Sequence, residues 1–253
     1  MDFYQATQDT MRNLNKNEMT IYEYVIKNMS TVKNMSIQKL ASQLYVSTTT
    51  VFRFAQKLGF AGYSELINCL LITTHNDNSA TIPVIVTGES YNDMYIKNAI
   101  EAVRVMSHQY VKDIIQKLKH NPHIYILCDD NTHTIGQYAE KLFIGLGFKV
   151  YFPEAAYQMQ MLANQVESND MIIALSYTGE DAVLGGFIKR VFLHTKPFLV
   201  SITRADNNEL ELLSDANFYV FAEEIKMNGI DLTSCVPMLM ILELLAYEYM
   251  GNN

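Results

Sequence analysis

Two clusters of side chains in this 253-residue chain have residue types and spacing that could do chemistry. The first is Ser47-Thr48-Thr49, followed by Phe52, Arg53, Gln56 and Lys57. At helical spacing, Val51, Phe54, Ala55 and Leu58 share one apolar face, and the hydroxyls, amide and cations fall on the other. Arginine can bond guanine O6 and N7 together, while hydroxyls and lysine meet phosphate oxygens. Thr49, Arg53 and Gln56 are therefore candidates for base edges, with Ser47, Thr48 and Lys57 for phosphates. A helical hairpin with a solvated face would show the same pattern. The second cluster is Ser176-Tyr177-Thr178-Gly179-Glu180-Asp181, between the apolar run Met171–Leu175 and a helix-like stretch. Backbone N–H groups at a helix start, at the positive end of its dipole, can cradle an anion. Ser176 and Thr178 would add hydroxyl donors. An ordinary capped helix after a turn would look the same.

These clusters need elements to hold them. Ser36 reads as the N-cap of Ile37–Leu44, and Ser47 as the N-cap of the next helix, which Gly59 ends. Two short helices joined by about three residues have the spacing of a helix-turn-helix, whose second helix enters the DNA major groove. Before them, Ile21, Tyr24, Val25 and Ile26 form a helical stripe. Residues 73–92, rich in Thr, Asn, Asp and Ser with Pro83 and Gly88, read as the region of a linker. One long amphipathic helix is expected from Asp93 to Lys119, stopped by Pro122. Beyond it, apolar runs at His123–Cys128, Lys149–Phe152, Met171–Ser176, Phe198–Thr203 and Phe218–Phe221 alternate with helix-like segments near 134–146, 155–165, 180–194, 207–213 and 232–250. Wholly apolar strands alternating with helices indicate a parallel sheet covered on both faces. The fold class expected is α/β: an all-α helix-turn-helix domain (1–75), a linker (76–92) and a doubly wound parallel-sheet domain (93–253).

Composition narrows the function classes. No apolar run reaches the length that spans a bilayer, and the N-terminus lacks the pattern of a secretory signal. Cys69, Cys128 and Cys235 are scattered and form no CxxC pair, so neither a disulfide framework nor a zinc cage is indicated. A reducing, cytoplasmic setting is expected. The six histidines show no metal-ligand spacing, and no cofactor is expected. Charge is unevenly divided. Residues 1–75 hold seven basic and five acidic residues (+2), leaving twelve and twenty-two (−10) for the rest. Only the first segment could approach a polyanion.

The stretch Met35-Ser36-Ile37-Gln38-Lys39-Leu40-Ala41, then Val46-Ser47-Thr48-Thr49-Thr50-Val51-Phe52-Arg53-Phe54-Ala55-Gln56-Lys57-Leu58-Gly59-Phe60-Ala61-Gly62-Tyr63-Ser64-Glu65-Leu66, resembles the N-terminal domain of RpiR-type transcriptional regulators. Ser176–Glu180 resembles the "S-x-S-G" segment of sugar isomerase (SIS) domains, the usual second half of those regulators. The resemblance implies a non-enzymatic regulator of sugar metabolism genes. It would bind operator DNA as a homodimer or homotetramer and respond to a phosphorylated sugar or related small ligand. It implies ligand contacts at Ser176, Tyr177, Thr178 and Gly179, and at Glu224 before the last helix. It also implies a contact at Thr132, which takes the place of a serine in the family's Gly-x-Gly-x-Ser loop. This chain departs from the family at that loop, where Cys128 and Asp130 occupy the glycine positions. It departs again at Asp181, where threonine is usual, and at Cys235, where arginine is common. The alternatives are a sugar-phosphate isomerase, or a regulator whose SIS-like domain has lost its ligand and only dimerises.

Overall fold

The computed structural model describes residues 3–7, 10–77, 91–222, 224–228 and 230–252. They form two compact units, Met1–Val105 and Met106–Asn253.

The first unit is helical: α1 (Phe3–Thr7), α2 (Lys16–Lys27), α3 (Met29–Val32), α4 (Ile37–Gln43), α5 (Thr48–Lys57), α6 (Tyr63–Asp77) and α7 (Tyr91–Arg104). Asn15 starts α2 with a reciprocal cap. Its side chain accepts from Glu18 N at 3.0 Å, and the Glu18 carboxylate accepts from Asn15 N at 2.7 Å. The stripe expected on α2 is buried at Ile21, Val25 and Ile26, and Tyr22 joins it. Phe3 stacks on Tyr22 and Phe60, with ring centroids 5.7 and 6.2 Å away. Leu40, Val51, Phe54, Leu66 and Leu70 complete the core.

The second unit begins with α8 (His108–Leu118). It continues β1 (Ile124–Cys128), α9 (His133–Gly145), β2 (Val150–Tyr151), α10 (Ala156–Leu162), β3 (Met171–Leu175), α11 (Ala182–Phe192), β4 (Phe198–Arg204), α12 (Glu209–Leu213) and β5 (Ala216–Val220). A hairpin, β6 (Lys226–Met227) and β7 (Ile230–Asp231), precedes α13 (Val236–Gly251). The five strands of the main sheet pair in parallel in the order β2-β1-β3-β4-β5. On one face Tyr125, Leu127, Ile172, Ala174 and Leu199 pack with Leu184, Phe187, Ile188 and Val191 of α11 and with Leu210 of α12. On the other, α8, α9 and α13 pack together. The strand order reverses between β1 and β3, and in open α/β sheets the C-terminal ends of the strands at such a reversal are where a ligand crevice forms.

All five expected strands are present, but the expected helix Asp93–Lys119 is two. The break falls at Val105–Ser107, where Ser107 caps α8 by accepting from Tyr110 N at 3.4 Å. Apolar periodicity continues across this break, which hid it in the sequence. The two units divide in the same place, so α7 is counted with the first unit although the sequence reading starts its second domain at 93. The expected linker falls mostly on residues 78–90, outside the described residues; positions 76, 77, 91 and 92 are helical. Helix α1 and the β6–β7 hairpin had no counterpart in the sequence reading.

Phe54 is completely buried beneath α5, and removing its ring should cost about 3–5 kcal/mol. Phe54→Ala is expected to reduce hydrogen-exchange protection of the α5 amides by about a hundredfold or more. Unchanged protection would show that α5 is not held by this core.

Candidate functional site

The helix-turn-helix is built as its caps require. Ser36 Oγ accepts from Lys39 N at 3.2 Å, and Ser47 Oγ accepts from Thr50 N at 3.0 Å. The Ser47 and Thr50 hydroxyls also share a 2.8 Å hydrogen bond. Between the helices, Val46 N donates to Ala41 O at 2.9 Å and Tyr45 N to Ser42 O at 3.3 Å. This closes α4 with a Schellman motif. Val51, Phe54, Ala55 and Leu58 face inward as expected.

The outward face separates the sequence candidates. Thr49, Arg53 and Gln56, at i, i+4 and i+7, are exposed together with Thr48. None of these four side chains is held by a hydrogen bond or ion pair to another described residue. Lys39, in the first turn of α4, is likewise exposed and available. Ser47 and Lys57, expected at phosphates, are engaged within the fold. Ser47 is the cap, and Lys57 Nζ lies 2.6 Å from Glu18 Oε2. That ion pair ties the C-terminal end of α5 to the start of α2.

In the second unit the loops 129–132 and 176–181 follow β1 and β3, the paired strands on either side of the order reversal, and the first is bonded to the end of β3. Asp129 opens the first loop: its carboxylate accepts from Thr132 N at 3.0 Å. Thr132 is fully buried, and its hydroxyl lies 2.7 Å from Leu175 O and 2.9 Å from Asp129 Oδ1. The hydroxyl expected to face a ligand is therefore spent on drawing this loop onto the end of β3, because the carbonyl there needs a donor. Asn131 extends the lacing to the last segment through a 3.0 Å bond from Nδ2 to Asp231 Oδ2.

The second loop is also satisfied from within. Ser176, fully buried, accepts from Gly179 N at 3.1 Å. Tyr177 is buried and donates to Ala222 O at 2.5 Å. Asp181 accepts from Val183 N at 3.0 Å and Leu184 N at 2.9 Å. The amides that an anion would use at the start of α11 thus already face a carboxylate. Thr178 is the hydroxyl most open to a ligand, holding only a 3.4 Å contact from Glu180 N. Glu224 is exposed and pairs with Lys226 in the hairpin. Burial, together with Asp129 and Asp130, pushes the Cys128 thiol up to about 12, so it is no nucleophile at neutral pH. Among the described residues no group of three or more His, Cys, Asp or Glu is placed to hold a metal ion.

Asn208 escaped the sequence reading. It is 1% exposed. Its Oδ1 caps α12 by accepting from Glu211 N at 3.0 Å, and its Nδ2 donates to Thr203 Oγ1 at 3.0 Å. Gly179 lies against it at φ +67°, where a β-carbon would sit 2.0 Å from Asn208 Oδ1. Leu210 N donates to Gly179 O at 3.1 Å. The loop 176–180 is thus set by α12 and the end of β4. The only sequence signal was an Asn just before an acidic helical turn.

Two family models match the chain. The family model described as "Helix-turn-helix domain, rpiR family" matches residues 1–73, and the SIS domain model matches residues 117–247. The HTH-type transcriptional regulator GlvR of Bacillus subtilis is 25% identical over 239 residues, covering 93% of this chain and 90% of the relative. The solved Vibrio vulnificus NanR protein complexed with ManNAc-6P is 19% identical, with a TM-score of 0.56 over 99% of this chain and 92% of that one. The solved sugar isomerase domain of an RpiR transcription factor from Sphaerobacter thermophilus is 10% identical, with a TM-score of 0.55 over 62% of this chain and 86% of that one. At these identities the solved structures establish likeness of fold.

Gly179→Ala should lower the melting temperature of the full chain. It places a β-carbon on Asn208 and forces alanine into left-handed backbone, a strain of about 1–2 kcal/mol before the overlap is counted. Calorimetry checks it, and a midpoint equal to wild type would mean that the loop relaxes away from Asn208.

Proposed function

The chain belongs to the RpiR-type transcriptional regulators, with an rpiR-family helix-turn-helix followed by a SIS domain. On that premise we propose that it binds operator DNA through α5 and that a phosphosugar at the crevice of its SIS unit governs that binding. The observation that carries the DNA half is the single unengaged face of α5 bearing Thr49, Arg53 and Gln56. Paired recognition helices on a two-fold operator would make the working form a homodimer or a multiple of it. The ligand half is supported by the place of the Ser176–Asp181 loop at the strand-order reversal. It is supported too by the ManNAc-6P complexed with NanR, a protein of similar fold. A ligand that favours one arrangement of the paired domains changes DNA affinity, and DNA changes ligand affinity by the same factor. The role is regulatory rather than catalytic. A rate of phosphosugar isomerisation by purified protein above the uncatalysed rate would overturn this.

Arg53→Ala is expected to lower affinity for a duplex selected by the wild-type chain from a randomised library by about ten- to a hundredfold, and to relax preference at one base pair. Affinity and preference equal to wild type would remove Arg53 from base reading. For the ligand, a thermal-shift panel of hexosamine 6-phosphates and pentose 5-phosphates should raise the melting temperature of the full chain. Thr178→Ala should weaken that shift. Asp181→Ser, which keeps a capping oxygen but removes the charge facing the phosphate, should strengthen it. A panel with no shift in wild type or in Asp181→Ser would leave the SIS unit without a phosphosugar role.

A further inference from the structure

Five positions besides Tyr45 have a left-handed backbone among the described residues, and all are residues suited to it: Gly59, Gly147, Gly179, Asn121 and Asn228. At Gly59 and Gly147 the chain closes α5 and α9 with the same Schellman pair of hydrogen bonds that closes α4. At the end of α4 the corresponding residue is Tyr45, at φ +55°. A bulky residue is strained there. Nothing among the described residues compensates, since the Tyr45 side chain is 97% exposed. Glycine would satisfy the turn better, and among the described residues the tyrosine ring gains nothing that offsets the strain.

The place of Tyr45 indicates what would offset it. It sits two residues before Ser47, the N-cap of α5, beside the exposed Thr48 and Thr49. The N-terminal end of a recognition helix is the end that meets base edges, so its flank runs along the DNA strand. A phenol offers a hydroxyl to a phosphate oxygen and a ring face to a deoxyribose, without charge.

We propose that Tyr45 is a contact to the DNA sugar–phosphate backbone, held in strained conformation at the corner of the helix-turn-helix to reach it. This rests on the reading of α5 as the DNA-binding helix. A backbone contact positions without reading sequence, and an uncharged one displaces no counterion. Tyr45→Gly should therefore act in opposite directions on fold and function. The melting temperature of the full chain rises because the strain is gone. Affinity falls about tenfold, as for loss of one hydrogen bond with its packing. The fall is the same for the duplex selected from a randomised library and for a random-sequence duplex, and the slope of log affinity against log salt stays that of wild type. Tyr45→Phe, which keeps the ring, falls between.

The proposal is overturned if Tyr45→Gly binds both duplexes as tightly as wild type, or loses affinity for the selected duplex alone. It is also overturned if the substitution changes the sedimenting species and leaves DNA affinity intact, which would make Tyr45 a contact between copies of the chain. Those results leave the DNA-binding reading standing. A wild-type chain that binds neither duplex overturns both.

Discussion

Every helix start leaves backbone N–H groups without an intrahelical partner, and this protein satisfies several of them with side-chain oxygens at both candidate sites. Ser36 and Ser47 do so in the helix-turn-helix; Asp129, Asp181 and Asn208 do so around the crevice of the sheet. Each cap fixes the direction in which a helix leaves its loop. The exposed face of α5 and the shape of the 176–181 loop both follow from these bonds. A cap also consumes the oxygen it uses, and so the same requirement that builds each site removes some of its polar groups from service.

That removal reshapes the helix-turn-helix. Ser47 and Lys57, both suited to phosphate by type, are held by Thr50 and by Glu18. Glu18 joins the start of α2 to the end of α5, so its carboxylate helps orient the helix that would lie in the groove. What is left outward and unengaged is compact: Thr49, Arg53 and Gln56 share one face, with Thr48 and Phe52 exposed beside it. The low positive charge of this segment fits such an economy of cations; a DNA contact through this face would draw more on base edges than on a broad basic surface.

The crevice of the second unit is governed by the same rule with the opposite electrostatic result. Its loops are closed by carboxylates and by hydroxyls turned inward, and the amides at the start of α11 face Asp181. A phosphate arriving there meets a site already neutralised and gains less than it would from unfilled amides. Thr178 stands apart as a hydroxyl with little to hold it. The turn itself depends on Gly179 lying under Asn208, so a residue of the β4–α12 loop sets the geometry of the β3–α11 loop.

Much of this was legible in the residues. The capped helix pair, the inward positions Val51, Phe54, Ala55 and Leu58, the five apolar strands and the two candidate clusters depend on local spacing, which a sequence records directly. The single helix expected over Asp93–Lys119 failed because apolar periodicity runs on through a break that one serine cap produces. Spacing also cannot say which polar side chain is already taken. Lys57 meets Glu18 across 39 positions, Thr132 meets Leu175 across 43, and Asn208 meets Gly179 only after β4 has crossed beside β3. The sequence by itself determined most of the elements and the kinds of groups at each candidate site. Tertiary structure alone decided which groups face outward, because a hydrogen bond or ion pair between distant segments exists only once the sheet and the helices have brought both ends together.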